Sequence, residues 1–285
     1  MVMRVFGKLA KTVGAPLATL VVERITSYVA ENWENWAASL LKEVGAWWNG
    51  KNIAVLGATA SGKDSFISCL QKEEPHKGHV NTTGVEKVES FRIDYPFPDG
   101  ENICFNVKEG INVGGEDEDK ERYWSKVLEG ADLIFYLIDF PKFFKELQAL
   151  DLEEMAQDGI KLKLALKEQQ GEGWRILEDM RFLASQISYF PEGKRPLVSV
   201  LLNKYDQLEG FPARYIAHAT PEDREEILEN IAPSLNLFLS LMQPLMKKEL
   251  GTFRKQLKTI EPMSCGSLDL FKFFFPNILR KVAGK

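Results

Sequence analysis

Cysteine is scarce in this chain: Cys69, Cys104 and Cys265 are the only three in 285 residues. Their spacing builds neither a zinc site nor a disulfide framework, and so few thiols point to a reducing compartment. Histidine is equally rare, with His76, His79 and His218, which leaves little for a histidine-based metal centre. Long apolar runs are missing as well. The longest uncharged stretch near the start, Thr12 to Val22, is broken by Pro16, whereas a bilayer span needs about 20 apolar residues. A secretory signal fits poorly, because Pro16 interrupts the apolar segment and no small-residue cleavage site precedes Glu23-Arg24. Neither sign of charge dominates: 36 Lys and Arg stand against 41 Asp and Glu, a net charge of −5. Nucleic-acid binding through bulk positive charge is therefore disfavoured. The remaining composition, 45% hydrophobic and 27% charged, excludes disordered, miniprotein and collagen-like classes. A chain of this length buries a full core without disulfides or structural metal.

The first fifty residues read as a helical extension. Arg4, Lys8 and Lys11 share one helical face, Val5, Phe6, Leu9 and Val13 the other, and no acidic residue precedes Glu23. Such a basic amphipathic helix over residues 1–15 can lie on an anionic membrane or pack on the domain behind it. Pro16 can start a second helix, and a third runs from about Glu31 to Trp47. Four of the six tryptophans, Trp33, Trp36, Trp47 and Trp48, fall in this extension. They suit an interfacial belt, a partner surface or plain packing.

From residue 51 the pattern changes. Asn52-Ile53-Ala54-Val55-Leu56 reads as a buried strand that runs into Gly57-Ala58-Thr59-Ala60-Ser61-Gly62-Lys63, with helical spacing resuming at Phe66. Strand, G-x-x-x-x-G-K, helix is the arrangement that cradles a diphosphate. The expected phosphate contacts are Gly57, Ala60, Ser61, Gly62, Lys63, Asp64 and Ser65. Backbone N–H groups and the helix dipole face the β-phosphate, and Lys63 reaches the β- and γ-phosphates. The residue after the lysine normally carries a hydroxyl for Mg²⁺, and here it is Asp64. A carboxylate can also ligate Mg²⁺, but it adds negative charge beside the phosphates.

A second apolar run, Leu197 to Leu202, ends in Asn203-Lys204-Tyr205-Asp206. In this N-K-x-D pattern the Asp206 carboxylate is expected to accept from guanine N1–H and the 2-amino group, for which adenine has no equivalent. The Lys204 stem would pack on the base while Asn203 braces the loop. A third loop, Ser264-Cys265-Gly266, follows the apolar stretch Thr259 to Met263 and is expected to offer backbone N–H to guanine O6. Its small residues allow close approach.

With these motifs the chain resembles the Ras-like small GTPases, in particular their Arf/Arl branch. Asn81-Thr82-Thr83-Gly84-Val85-Glu86 looks like that branch's first switch, and Asn112-Val113-Gly114-Gly115-Glu116-Asp117 like its second. The resemblance implies that Thr82 coordinates Mg²⁺, that Gly115 donates to the γ-phosphate and that Glu116 positions the attacking water. Asn112 stands where the family carries an Asp that supports the metal, and Glu116 where it carries Gln. Position 2 is Val, so the family's myristoylated glycine is absent.

The expected fold is α/β: a P-loop domain over residues 51–285 with a mostly parallel sheet. The helical extension at residues 1–50 precedes it, and helical insertions occupy about 141–194 and 207–258. In the first insertion, helical stretches are expected over about Phe143 to Gln169 and Trp174 to Tyr189, separated by Gly171-Glu172-Gly173. In the second, Thr220-Pro221 opens a helix. The expected function is GTP/GDP binding with slow GTP hydrolysis as a molecular switch, carried catalytically by Lys63, Glu116 and Thr82, with Mg²⁺ held by Asp64 and Thr82. A pseudo-GTPase scaffold, an ATPase using the same loop and a pure anchor in the helical extension are the rival readings. The expected setting is cytoplasmic, with an unidentified protein effector or regulator and peripheral membrane contact through residues 1–15.

Overall fold

The computed structural model describes residues 47–48, 50–75, 85–87, 91–96, 102–107, 111–113, 124–128, 130–151, 158–209, 211, 216 and 221–283. Thr82, Gly115, Glu116, Trp33, Trp36 and residues 1–15 lie outside these.

The apolar runs become strands because both faces of each are covered. β1 (Ile53–Gly57), β6 (Leu133–Asp139) and β7 (Leu197–Asn203) are almost wholly buried. With β2 (Val85–Lys87), β5 (Ile111–Val113) and β8 (Leu257–Pro262) they form a six-stranded sheet in the order β2-β5-β1-β6-β7-β8. All neighbouring pairs are parallel except the antiparallel edge strand β2. β3 (Phe91–Pro96) and β4 (Asn102–Val107) form a separate antiparallel pair. Chain order reverses across the β1/β6 boundary, and open parallel sheets bind ligands at the carboxyl ends of strands at such a point.

Helices α1 (Lys63–Leu70) and α7 (Leu268–Val282) supply the rings packed beside β6. Phe66 of α1 meets Phe135 of β6 and Phe271 and Phe275 of α7 with ring centroids 5.2–6.0 Å apart. Trp48 belongs to this cluster. It is fully buried, stacks on Phe135 at 6.4 Å, and its indole N–H donates to the Leu279 carbonyl at 3.1 Å. Of the readings open to the four N-terminal tryptophans, Trp48 takes plain packing rather than a belt or partner surface. A buried indole N–H favours an acceptor, and the last turn of α7 provides it. Trp47 sits edge-on to Trp48 and is partly buried.

The short helix α2 (Ser125–Leu128) precedes β6. After β6 come α3 (Phe140–Gln148), α4 (Gly159–Gln169), α5 (Glu172–Ile187) and, after β7, the 30-residue α6 (Pro221–Leu250). Phe140 and Phe143 of α3, Phe238 of α6 and Tyr205 form a second aromatic cluster, with Phe140 stacked on Tyr205 at 4.8 Å. α6 begins at Pro221 as expected and carries Pro233 and Pro244 in its interior. Each proline removes one backbone donor, and the buried row Phe238, Leu241, Met242, Leu245 and Met246 holds the helix through tertiary packing.

Among the described residues, the single stretch expected over Phe143 to Gln169 is not continuous. α3 ends at Gln148, and α4 starts afresh where Asp158 Oδ1 accepts from Ile160 N at 2.8 Å and Lys161 N at 3.3 Å. Conversely, Glu172 and Gly173 lie inside α5 rather than in a break. The Glu146 carboxylate of α3 accepts from Glu172 N at 2.8 Å and Gly173 N at 3.1 Å, so the first turn of α5 is capped from another helix.

Candidate nucleotide-binding site

The loop from β1 to α1 has the backbone its sequence demands. Gly57, Ala60 and Gly62 have φ of 142°, 64° and 91°. Gly62 is needed twice over. Its left-handed conformation is strained for any side chain, and an added Cβ would collide with the Asn203 side-chain amide. Gly62 also leaves the N-terminus of α1 without a side-chain cap, so the N–H groups there remain available to an anion.

Lys63 opens α1 with its side chain folded back into the loop. Nζ donates to the Ala58 carbonyl at 2.8 Å and the Gly57 carbonyl at 3.2 Å, with only 6% of the residue exposed. Burial lowers its pKa to about 8. The neighbouring Asp64 carboxylate opposes that shift, and the Arg175 guanidinium adds to it. Ser61 is fully buried and its hydroxyl has no hydrogen-bond partner. An orphaned hydroxyl in a ring of backbone donors fits a phosphate ligand. Asp64 and Ser65 lie in the first turn of α1, partly exposed.

The base-reading elements converge on the same end of the sheet. Asn203 closes β7, and its side-chain amide donates to the Ser61 carbonyl at 2.8 Å, tying this loop to the phosphate loop. Lys204 follows at φ 62° and donates to Asp139 Oδ2 at 2.6 Å. Tyr205 N donates to the Met263 carbonyl at 3.1 Å and Met263 N to the Leu202 carbonyl at 2.9 Å, so the loops after β7 and β8 are sewn together. Ser264 then donates its hydroxyl to Asp206 Oδ1, and Gly266 N donates to Ser264 Oγ at 3.3 Å. A Cβ at Gly266 would lie 2.7 Å from Asp206 Oδ2; only glycine leaves that oxygen uncrowded. Cys265 is buried against Cys69 of α1, and burial pushes its thiol pKa well up.

Gly57, Ala60, Ser61, Gly62, Lys63, Asp64, Ser65, Asn203, Lys204, Asp206, Ser264, Cys265 and Gly266 thus gather around the ends of β1, β7 and β8. Thr82, Gly115 and Glu116 lie outside the described residues, and of Asn112 only the backbone in β5 is described. Among the described residues no group of three or more His, Cys, Asp or Glu could hold a metal. Asp64 is a hard oxygen donor next to the phosphate loop, and Mg²⁺ commonly takes one or two carboxylates with the remainder from phosphate and water. Of the two residues expected to hold Mg²⁺, Asp64 is the one among those described.

Sequence reading missed two features. Asp139 ends β6 directly beside Asn203 in the β6/β7 register; a carboxylate at the carboxyl end of a parallel strand was the available signal. The other is a buried polar group under the phosphate loop. Tyr136 of β6 donates to Asp179 of α5 at 2.5 Å, and both are 1% exposed. Burial first, then the Asp179 charge, drives the Tyr136 pKa well up. Glu172, also 1% exposed, has its pKa raised by burial, while Arg175 and Lys142 oppose the shift. Nothing in the local sequence pairs these positions.

The strand order, the β1–loop–α1 junction and the convergent loops after β7 and β8 make this an α/β P-loop NTPase fold with small-GTPase-like topology. No family profile matches the chain, and neither does any curated protein. Among solved structures it is similar to the mammalian SRP receptor, with TM-score 0.40 and 13% identity over 82% of this chain and 99% of that one. It is similar to a GTP-binding protein from the hyperthermophilic archaeon Sulfolobus solfataricus in complex with GDP, with TM-score 0.38, 14% identity, and 98% of this chain against 64% of that one. A third likeness is to Methanosarcina barkeri Roco2 RocCORdC bound to GDP, with TM-score 0.36, 14% identity, and 76% of this chain against 44% of that one.

Proposed function

We propose that the chain binds GTP and GDP, hydrolyses GTP slowly and acts as a nucleotide-dependent switch. One observation carries the reading: Asp206 is held by Ser264 at the mouth of a phosphate loop to which Asn203 is directly bonded. A carboxylate fixed there is suited to accept from guanine N1–H and the 2-amino group. The bond between the two loops sets one distance between base and phosphates, as a single bound nucleotide requires.

In the proposed reaction water attacks the γ-phosphorus in line, and positioning with charge stabilisation does most of the work. Lys63 would leave its two carbonyl partners for phosphate oxygens, whose negative charge would hold its ammonium protonated. The uncapped N–H groups of α1 and the buried Ser61 hydroxyl would complete the cradle. Gly115 would donate to the γ-phosphate and Glu116 would position the water. Mg²⁺, held by Asp64 and Thr82, would neutralise charge on the β- and γ-oxygens. Asp64, Asn112 and Glu116 all depart from the usual residues, and together they favour a second reading, a nucleotide-bound scaffold without turnover. In its sequence motifs the chain is closest to the Arf/Arl branch. We assign it a cytoplasmic setting with an effector or regulator, and residues 1–15 to a peripheral membrane contact. No helix among the described residues is long and apolar enough to cross a membrane.

Two measurements test this. GDP should bind far more tightly than ATP, and Asp206→Ala should weaken GDP by about 10- to 100-fold, the range for losing charged hydrogen bonds. Equal affinity for ATP and GDP would sink the guanine assignment. Single-turnover phosphate release above the Lys63→Ala background supports the enzyme, and GTP binding without release supports the scaffold.

A further inference from the structure

Asp139 accepts two hydrogen bonds, one on each carboxylate oxygen. It pairs with Asn203 across β6/β7, so its carboxylate stands beside the residue that follows. Oδ2 accepts from Lys204 Nζ at 2.6 Å, and Oδ1 accepts from Lys142 N at 3.3 Å as the N-cap of α3. The Asp139 side chain is 16% exposed and that of Lys204 25%, so the ion pair is screened less than one on the open surface. Lys204 holds a left-handed φ of 62°, a conformation that persists where surrounding contacts over-determine it.

Resting on the guanine-nucleotide reading, we propose that Asp139 is the positioning residue for the base site, clamping Lys204 and tying it to the inserted helix α3. A lysine stem is flexible and becomes a flat support for a base only when its ammonium is pinned. Asp139 pins it from the side of the sheet. Because the same carboxylate caps α3, a shift of that helix's first turn changes the grip on Lys204. The link continues outward, since Glu146 of α3 caps α5.

Substitutions at position 139 separate the two bonds. Asp139→Ser keeps a capping oxygen but is too short to hold the Lys204 ammonium. Asp139→Asn keeps the cap and an acceptor without the charge, and Asp139→Ala removes everything. The measurement is release of ribose-labelled fluorescent GDP from the full chain, chased with unlabelled GDP, alongside urea unfolding. The expected result is release about tenfold faster for Asp139→Ser at near-native stability, the effect of one charge-assisted hydrogen bond, with Asp139→Asn between it and wild type. Asp139→Ala should match the serine variant in release while losing more stability. Adding Asp139→Ser to Lys204→Met should produce no further acceleration. Wild-type release rates in Asp139→Ser overturn the inference and leave the guanine reading standing. If Asp139→Ser does not fold, wild-type release in Asp139→Asn overturns it instead. A wild-type chain that binds no GDP overturns the guanine reading, and this inference with it.

Discussion

The side-chain amide of Asn203 donates to the backbone carbonyl of Ser61 at 2.8 Å, across 142 residues of sequence. This buried bond joins the loop that reads the base to the loop that cradles phosphate. An added Cβ at Gly62 would strike the same amide, so the two motifs constrain each other sterically as well.

Asn203→Ala should weaken GDP binding and destabilise the unliganded protein by about 1–3 kcal/mol, because a buried carbonyl is left without its donor. Calorimetric titration with GDP and urea unfolding measure the two effects. Loss of stability with unchanged GDP affinity would show that the bond is structural only.

Lys63 imposes two opposite pH dependences. With its amine at about 8 in the fold against 10.5 for the free side chain, the folded state sheds a proton between those values while the unfolded state keeps it. Stability should therefore rise with pH across that window, by at most about 3 kcal/mol. Below pH 8 both states carry the charge and the cost of burying it is fully present. GDP affinity should run the other way and fall as pH rises above about 8, since the phosphates need the ammonium. Lys63→Met should flatten both profiles; a variant whose profiles follow wild type would remove Lys63 as their source.

Trp48→Ala should cost about 3–5 kcal/mol, the usual range for emptying a large aromatic site in a core. Trp48→Phe keeps most of the buried ring and loses the bond to Leu279, so it should cost about 1–2 kcal/mol. Urea unfolding curves give both values. Wild-type stability in Trp48→Ala would mean that the segment before β1 is not part of the core.

Tyr136→Phe removes the donor that faces Asp179 under the phosphate loop. Stability should drop by about 1–3 kcal/mol, because a buried carboxylate oxygen loses its donor. Urea unfolding of both proteins measures this, and wild-type stability in Tyr136→Phe would show that the bond contributes nothing to the fold.

Residues close in the chain decided much of this protein. The run Ile53 to Leu56 ahead of G-x-x-x-x-G-K, and the run Leu197 to Leu202 ahead of N-K-x-D, each need only their own backbone to set strand, turn and helix start. Apolar runs with no polar face implied a sheet covered on both sides, and Pro221 marked the start of α6. The separation of α3 from α4 carried one local signal, the turn dipeptide Asp158-Gly159, which the helical pattern on either side of it masked. The start of α5 at Glu172 was not legible, because its cap comes from Glu146 on another helix. Trp48 could be read as surface or core until the Leu279 carbonyl supplied its acceptor. Asp139 and Lys204, like Tyr136 and Asp179, meet only because the parallel register and the α5 packing bring them together. Motifs that act through local backbone geometry are written in sequence. Partners of buried charges are chosen by which elements the fold places side by side.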